Sequence, residues 1–328
     1  LGGPAASEGA LRLQASQDPT NGPPVDVVHS WALAPAGSTD PDAPGNRPTL
    51  SYETAPGATI SDAVTLYNYS NVQLTFRLYA TDAYNNEDGA FDLLAGDAQP
   101  TDVGSWVALE QENITLAPRS QATIPMTVTV PADAAPGDHA GAVLAASGTI
   151  GTGPDGKIVN LDRRTGSRIY LRVTGDLRPE LAVEGLTTIY EPSFNPAGGT
   201  AEVTYRVRNR GNVRMSGTHA VSVHGPLGIG RHSVPTEDLP ELLPGEDYTV
   251  HATLEGVPAG GLVFTDVDVQ PRTVDGVEAG LDDVGGHGTA VAPPVTVLMT
   301  AIALWLALRA RRAYRRHRAD LVAEPVAM

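Results

Sequence analysis

The segment TDAYNNEDGAF carries oxygen-bearing side chains at alternating positions, as calcium-binding loops do. Asp82, Asn86 and Asp88 are the candidate ligands, because Ca²⁺ is bound in proteins by carboxylate and amide oxygens. The segment departs from the EF-hand pattern, since Tyr84 stands at the second ligand position and the twelfth position is not Glu. The pattern therefore favours an ordinary polar hairpin, with a calcium loop as the weaker alternative.

Residues that could perform catalysis are scattered along the chain and form no known motif. The chain contains no Cys, which excludes disulfides, thiolate metal sites and cysteine nucleophiles. His219 and His224 are five residues apart, so on a strand they would point to opposite faces and could not share a metal. Nucleophile-elbow, zinc-protease and phosphate-loop motifs are also missing. We therefore predict a non-enzyme without cofactors, a Ser-His-Asp set assembled across the fold being the remaining catalytic alternative.

Aromatic side chains are the remaining candidates for ligand binding, because they make up only 5% of the chain. Exposed rings beside Asn or Asp could stack on sugar faces while the polar groups bind hydroxyls. This reasoning selects Trp31, Tyr84, Asn86 and Trp106 as glycan-binding candidates. For the two Trp residues, packing in or around the core is the alternative.

Apolar residues alternate with polar ones over much of the chain from residue 25 onward, which predicts strands with one buried face. The segment TIPMTVTV, for example, places Ile124, Met126 and Val128 on one side. About seven such strands, separated by turn residues, predict a first β-sandwich over residues 25–176. Residues 1–24 show no periodicity and are predicted to be a disordered leader.

A second set of alternating segments follows, including AEVTYRVRN, in which Ala201, Val203 and Tyr205 are predicted to face inward. These segments predict a second immunoglobulin-like sandwich over residues 177–272. The Gly-rich residues 273–289 are predicted to be a flexible stalk. The overall prediction is an all-β chain of two consecutive sandwiches.

Two turns have nearly the same sequence, NYSN beginning at Asn68 and NRGN beginning at Asn209. Each is followed later by a segment of similar character, starting at Leu116 in the first case and at Leu242 in the second. Asn and Gly favour chain reversal, because they tolerate left-handed dihedral angles and Asn can bond to the local backbone. The repetition therefore indicates two copies of one sandwich plan.

Residues 290–308 contain no charged side chain, and Arg residues follow at once. This length predicts a single transmembrane helix, and the Arg cluster predicts that the tail 309–328 is cytoplasmic. A buried core helix is the poorer alternative, because no face of the segment is polar. The predicted anchor residues are Val295, Leu298, Ile302, Leu304, Trp305 and Leu308, and the topology-determining residues are Arg309, Arg311, Arg312, Arg315, Arg316 and Arg318.

This topology places the bulk of the chain outside the cell, as in a single-pass type I membrane protein. Such a chain needs an export signal, so we expect that a signal peptide absent from this sequence directs export. The formal net charge of −16 disfavours nucleic acid as a partner, since phosphates would be repelled.

The segments YETAPGATISDAVTLYNYSN, LYATDAYNNEDGAF and ITLAPRSQATIPMTVTVPADAAPGDHAGAVLA together resemble the WxL-interacting protein family of Gram-positive cell surfaces. The resemblance covers about residues 25–318, and its most specific part is PADAAPGDHAGAVLA. It implies a membrane-anchored protein whose first domain is associated with peptidoglycan and whose second binds a surface protein. The single Lys and the abundant Ala, Gly and Arg are typical of a high-GC actinobacterium, which leaves the identity of that partner open.

The predicted function is thus a membrane-anchored surface protein that binds peptidoglycan through its first domain and a WxL-like or other surface protein through its second. Two alternatives belong to different classes. One is a structural spacer without glycan binding, and the other is a glycan-processing enzyme.

Overall fold

The computed structural model describes residues 28–37, 47–152, 158–195, 198–274 and 281–323. These residues form two β-sandwiches and a C-terminal helix, so the predicted all-β character is confirmed. The predicted leader, residues 1–24, lies outside the described residues.

The first sandwich consists of two sheets. One has the strand order β1-β3-β8-β6, and the other has the order β2-β10-β9-β4-β5, with β7 also paired to β4. The pairing of β2 with β10 is parallel. Its elements are β1 Trp31–Pro35, β2 Leu50–Thr54, β3 Thr59–Asn68, β4 Leu74–Asn85, β5 Phe91–Leu93, α1 Val103–Trp106, β6 Val107–Leu109, β7 Asn113–Leu116, β8 Gln121–Thr129, β9 Gly137–Thr152 and β10 Ile158–Val173.

The core of the first sandwich lies between these sheets and follows the predicted alternation. Phe76 and Leu78 of β4 are buried, as are Ile124, Met126 and Val128 of β8. Burying a side chain of this size contributes roughly 1.5–3 kcal/mol. The alternation therefore determines which face of each strand turns inward.

The second sandwich also has two sheets. One has the order β11-β12-β16, and the other has the order β14-β13-β17-β18, with β15 also paired to β13. Its strands are β11 Leu181–Glu191, β12 Gly199–Asn209, β13 Met215–His224, β14 His232–Ser233, β15 Glu237–Leu242, β16 Asp247–Val257, β17 Gly261–Thr273 and β18 Val284–Ala292. Ala201, Val203 and Tyr205 of β12 are buried in its core, as predicted.

The turn at Asn68 is closed by side-chain hydrogen bonds. The Asn68 side-chain amide donates to the carbonyl oxygens of Val72 at 3.0 Å and Leu116 at 3.1 Å. Its carboxamide oxygen accepts the backbone N–H of Ser70. Asn68 is buried, so the residues just before β4 and the end of β7 are held to one side chain.

The turn at Asn209 is closed in the same way. The Asn209 side-chain amide donates to the carbonyl oxygens of Val213 at 2.7 Å and Leu242 at 3.0 Å, and its oxygen accepts the N–H of Gly211. Leu242 was identified with Leu116 from the sequence repeat, and both carbonyls are bound here by a buried Asn. The repeated turns therefore have the same architectural role.

The C-terminal part of the second sandwich differs from the prediction. Strand β18 pairs with β17 from Val284 opposite Val269 to Ala292 opposite Gly261. The stalk prediction is therefore wrong for residues 284–289, which form sheet. The predicted transmembrane helix begins too early, because residues 290–292 also belong to β18 and residues 293–294 are both Pro.

Helix α2, Val295–Ala323, leaves the second sandwich directly after these prolines. The predicted anchor residues lie on its first turns, and Leu298, Ile302, Leu304, Trp305 and Leu308 are all exposed. In the part of the chain that the structure describes, no helix combines the length and the apolar character required to cross a membrane.

Candidate functional site

A polar junction connects the two sandwiches and begins at Asn212, the last residue of the second Asn turn. The Asn212 side-chain amide donates to the carbonyls of Pro136 at 2.8 Å and Asp176 at 2.9 Å. Its oxygen accepts the backbone N–H of Arg178 at 2.6 Å. One side chain therefore binds the first sandwich and the linker, while its backbone belongs to the second sandwich. In the first turn, the equivalent Asn71 accepts the N–H of Val28.

An ion network lies at the centre of the polar junction. Asp138 accepts hydrogen bonds from both Nε and Nη2 of Arg172, at 2.6 and 2.8 Å. It also accepts the backbone N–H of Arg214, at 2.7 Å. The Arg214 guanidinium binds Glu241 at 2.7 Å and lies 3.9 Å from the centre of the Tyr170 ring. The Asp138 and Arg214 side chains are only 4% and 7% exposed. The ion pair between these two residues, which joins the sandwiches, is therefore shielded from water.

A second contact across the junction involves Asn85, at the end of β4. Its side-chain amide donates to the carbonyl of Glu241 at 2.7 Å, and its oxygen accepts the N–H of Leu243 at 2.9 Å. Asn85 is buried, so these bonds are shielded from water. Beside it lies the open groove between the β4–β5 turn and β16, with a volume of about 820 Å³. Burial, together with the charge of Asp247, raises the pKa of Glu246 in this groove.

His139 connects the junction to helix α1. Its Nδ1 lies 2.6 Å from Asp102, and its Nε2 lies 2.9 Å from the carbonyl oxygen of Ala135. Burial is the largest single influence and disfavours the imidazolium, but the hydrogen bond and charge of Asp102, the Ala135 carbonyl and the charge of Asp138 together outweigh it, so the pKa of His139 is raised. Trp106, a predicted glycan-binding residue, packs its ring against His139 with a centroid distance of 4.7 Å.

The other predicted glycan-binding residues have packing or turn roles. The Trp31 indole N–H donates to the carbonyl of Ala145, and its ring meets that of Phe76 edge-on at 5.7 Å. The Tyr84 hydroxyl lies 3.5 Å from Asp92. Trp31 therefore packs around the core, which was the alternative to glycan binding. The rings of Trp31, Tyr84 and Trp106 do not line one open groove.

Asn86 and the other two calcium candidates also have structural partners. The Asn86 side-chain oxygen accepts the N–H groups of Asp88 and Ala90, which closes the β4–β5 turn. Asp82 is buried and accepts three backbone N–H groups, from Thr101, Asp102 and Gly104. Across the described ranges, no group of three or more His, Asp or Glu is arranged to hold a metal.

A face that the sequence did not predict lies on the outer side of the β10-β9-β4 sheet. Arg77 of β4 is opposite Ala146 of β9, which is in turn opposite Arg164 of β10, so both arginines project from the same side. Arg168 and Tyr170 lie further along β10 on that side. We call this surface the arginine face, and it consists of Arg77, Tyr79, Phe91, Arg164, Arg168 and Tyr170.

The guanidinium groups of the arginine face are held by neutral partners. Arg77 donates to the carbonyl of Gly96 at 3.0 Å, and Arg164 donates to the carbonyls of Leu94 and Leu93 at 2.7 and 3.2 Å. These three carbonyls belong to the last residue of β5 and to the segment that follows it.

The third guanidinium, that of Arg168, donates to the Tyr170 hydroxyl at 3.3 Å and lies 4.3 Å from the centre of the Phe91 ring. Arg77, Arg164 and Arg168 are exposed. Within the described residues none of them has a carboxylate partner. A cavity of about 350 Å³ adjoins Tyr170 and belongs to the polar junction, because Asp138, Arg172 and Arg214 line it together with Glu53. The face can therefore offer free N–H donors and aromatic rings to a ligand.

The chain matches no family model and no curated protein. Among solved structures it resembles the chaperone–tip adhesin complex of CFA/I fimbriae, with a TM-score of 0.36, 11% identity, and coverage of 79% of this chain and 98% of the other. It also resembles the CsuC–CsuE chaperone–tip adhesion subunit pre-assembly complex of Acinetobacter baumannii, with a TM-score of 0.36, 9% identity, and coverage of 78% of this chain and 98% of the other. The Salmonella enterica SafA pilin in complex with the SafB chaperone has a TM-score of 0.33 and 14% identity, and the match covers 79% of this chain and 96% of the other. At these scores the similarity carries no argument about function, and membership of the WxL-interacting family stays a prediction.

Proposed function

We propose that this chain is a membrane-associated surface protein whose first sandwich binds acidic groups of peptidoglycan through the arginine face. The observation that carries the proposal is the set of three exposed guanidinium groups without a carboxylate partner in the described residues. In a chain with a net charge of −16, such a set provides a local site at which an anion is not repelled.

The chemistry of the face fits a glycan that carries carboxylates. A guanidinium presents parallel N–H groups that match both oxygens of a carboxylate, and such charge-assisted bonds are about twice as strong as neutral ones. The rings of Phe91 and Tyr170 provide apolar surface beside these donors, on which a sugar face can lie. Peptidoglycan combines sugar rings with peptide carboxylates, so both features of the face would be used.

The proposed membrane association rests on helix α2. From Val297 onward its large apolar side chains are exposed, as is typical of a surface that interacts with a membrane or another protein. The uncharged stretch, residues 295–308, is about 21 Å long at 1.5 Å per residue, which is shorter than the hydrocarbon core of a bilayer, about 30 Å thick. Arg309 lies over the ring of Trp305, and long Arg side chains extend towards the headgroups from such a position.

The second sandwich is proposed to bind a protein partner by strand addition. Strand β16 pairs with β12 along one edge, and within the described residues no strand pairs with its other edge. β11, at the opposite edge of that sheet, lies against β18. An extended peptide could therefore hydrogen-bond along the 11 residues of β16.

The glycan proposal is tested by co-sedimentation of the full chain with purified peptidoglycan. Arg77→Gln, Arg164→Gln and Arg168→Gln are compared with Arg208→Gln, which changes an exposed arginine of the second sandwich. Loss of one charge-assisted contact should weaken binding about ten- to a hundredfold, since such bonds contribute roughly 1.5–3 kcal/mol. If the three changes together leave sedimentation intact, the arginine face is not the binding site. If the unmodified chain does not sediment, the spacer hypothesis is favoured.

A further inference from the structure

The end of the second sandwich remote from the junction gathers three loops and the beginning of helix α2. We call it the far end. The β11–β12 connection lies there because Glu191 is opposite Thr200. The β16–β17 connection and the last residue of β18 lie there too, since Gly261 is opposite Ala292. The β13–β14 loop begins beside them, after His224.

These loops expose large apolar side chains. Phe194 in the β11–β12 connection is 84% exposed, and Leu227 and Ile229 in the β13–β14 loop are 98% and 69% exposed. Val291 and Leu262, which are opposite each other in β18 and β17, are also exposed at this end. A monomeric soluble surface seldom concentrates such residues at one place without an interaction that covers them.

The β13–β14 loop is packed so that its tip points outward. A Cβ at Gly230 would lie 2.8 Å from the ring of Pro258, which shows that the loop backbone rests closely on the β16–β17 connection. Leu227 at the tip has φ 59° and ψ 22°, a left-handed conformation that is uncommon for Leu. The chain thus maintains an unfavourable backbone conformation at a residue whose side chain has no packing partner there, which is typical of a binding element.

We propose that the far end docks on the lipid bilayer, with Phe194, Leu227 and Ile229 inserted among the headgroups. This inference rests on the proposed membrane association of α2. Lipid is the occupant because α2 starts three residues after Ala292, so its exposed apolar turns leave from this same end. Apolar loop tips beside an inserted helix enter the interfacial region.

The driving force for docking is burial of apolar surface, not attraction to anionic lipid. Glu191 and Glu255 are exposed near this end, on either side of Thr200 of β12, which is opposite both of them. The Arg231 guanidinium is engaged with Ser222 and Asp266. Docking is therefore expected on vesicles of phosphatidylcholine alone, without anionic lipid.

The test uses single-cysteine variants of the full chain, which has no native Cys. Leu227→Cys and Phe194→Cys report on the loops, Leu304→Cys reports on α2, and Asp176→Cys in the linker is the exposed control. Each variant carries a polarity-sensitive fluorophore and is reconstituted into phosphatidylcholine vesicles. With vesicles present, iodide in the aqueous phase should quench the loop labels at least about twofold less than it does in detergent-free buffer without vesicles. The emission of these labels should also shift to the blue, because residues in the membrane interface are shielded from water.

The outcomes separate this inference from the anchoring proposal. Shielding at Leu227→Cys and Phe194→Cys, with the Asp176→Cys label still quenched, supports docking. Shielding at Leu304→Cys alone retains the anchor and overturns docking of the far end. If the Leu304→Cys label remains fully quenched, the anchoring proposal fails and the inference fails with it.

Discussion

Asn209 closes the second sandwich through the same hydrogen bonds by which Asn68 closes the first. In both cases a buried side-chain amide donates to the carbonyl four residues later and to the last residue of a distant strand. Each oxygen accepts the N–H two residues later. Both carboxamides thus saturate backbone groups that water cannot reach, and the turns are stability elements of the two sandwiches.

Asn68→Ala and Asn209→Ala should therefore each lower the free energy of unfolding by about 2–4 kcal/mol, because buried carbonyls lose their donors. Urea unfolding followed by circular dichroism measures the change. Asn86→Ala is the matched control, since Asn86 closes an exposed turn through its oxygen, and it should cost no more than about 1 kcal/mol. Equal effects at all three positions would contradict the buried role.

Asp138→Asn should destabilise the contact between the sandwiches. Removing one partner from a buried ion network typically costs about 3–5 kcal/mol, because the remaining charges stay desolvated. The neutral variant removes the negative charge that Arg172 and Arg214 contact at Asp138, and small-angle X-ray scattering should then show a wider range of angles between the sandwiches. Asp176→Asn, in an exposed pair with Arg178, should leave the scattering unchanged.

Gly137→Ala should push the sandwiches apart. Gly137 has φ 130°, and a Cβ there would lie 2.2 Å from the carbonyl oxygen of Asn212 in the second sandwich. Gly245→Ala provides the control, because Gly245 also has a positive φ, 84°, but nothing lies within 4 Å. The control should show only backbone strain of about 1 kcal/mol, and the junction variant should lose more stability than that in thermal unfolding.

His139 should stabilise the first sandwich most strongly in acid. Its pKa is raised in the fold, so its contribution is full below the unfolded value of about 6.5 and is lost as the pH rises through the folded pKa. His139→Gln should therefore reduce stability more at about pH 5 than at about pH 8. A loss that is the same at both pH values would show that the contact with Asp102 does not depend on protonation.

His219 should behave in the opposite way. Burial lowers its pKa, and its Nδ1 lies 2.7 Å from the hydroxyl of Tyr205 inside the second core. Its contribution is present above about pH 6.5 and is lost as the pH falls through the folded pKa. His219→Gln should reduce stability more at about pH 8 than at about pH 5, and unfolding measured across this range would show the two histidines with opposite slopes.

The sequence predicted the features that depend on local patterns. Alternation identified the buried faces of β8 and β12, because each has one face in a core. It also placed His219 and His224 on opposite faces, and His219 is buried beside Tyr205 while His224 lies near Asp266. Strand β18 was missed, since its sequence VGGHGTAVA offers too few apolar side chains to show alternation.

The arginine face and the polar junction could not be predicted because their residues are distant in sequence. Arg77 and Arg164 share a surface only because β9 lies between their strands. The segment APGDHAG was singled out by resemblance, yet the reason for its residues is visible only when Asp138 meets Arg214 of the other sandwich. The outward position of Arg168 and Tyr170 on β10 was the available signal for the face.

The length of the strands determines how far the second sandwich extends from the junction to the far end. Its strands β12 and β16 are 11 residues long, which corresponds to about 36 Å at roughly 3.3 Å per residue. Under the proposed membrane docking, this sandwich would set the distance between the lipid and the first sandwich, since desolvated ions hold the two sandwiches together. Ligands would then be captured in a shell a few nanometres outside the bilayer, and inserting or deleting strand residues in the second sandwich would shift that shell.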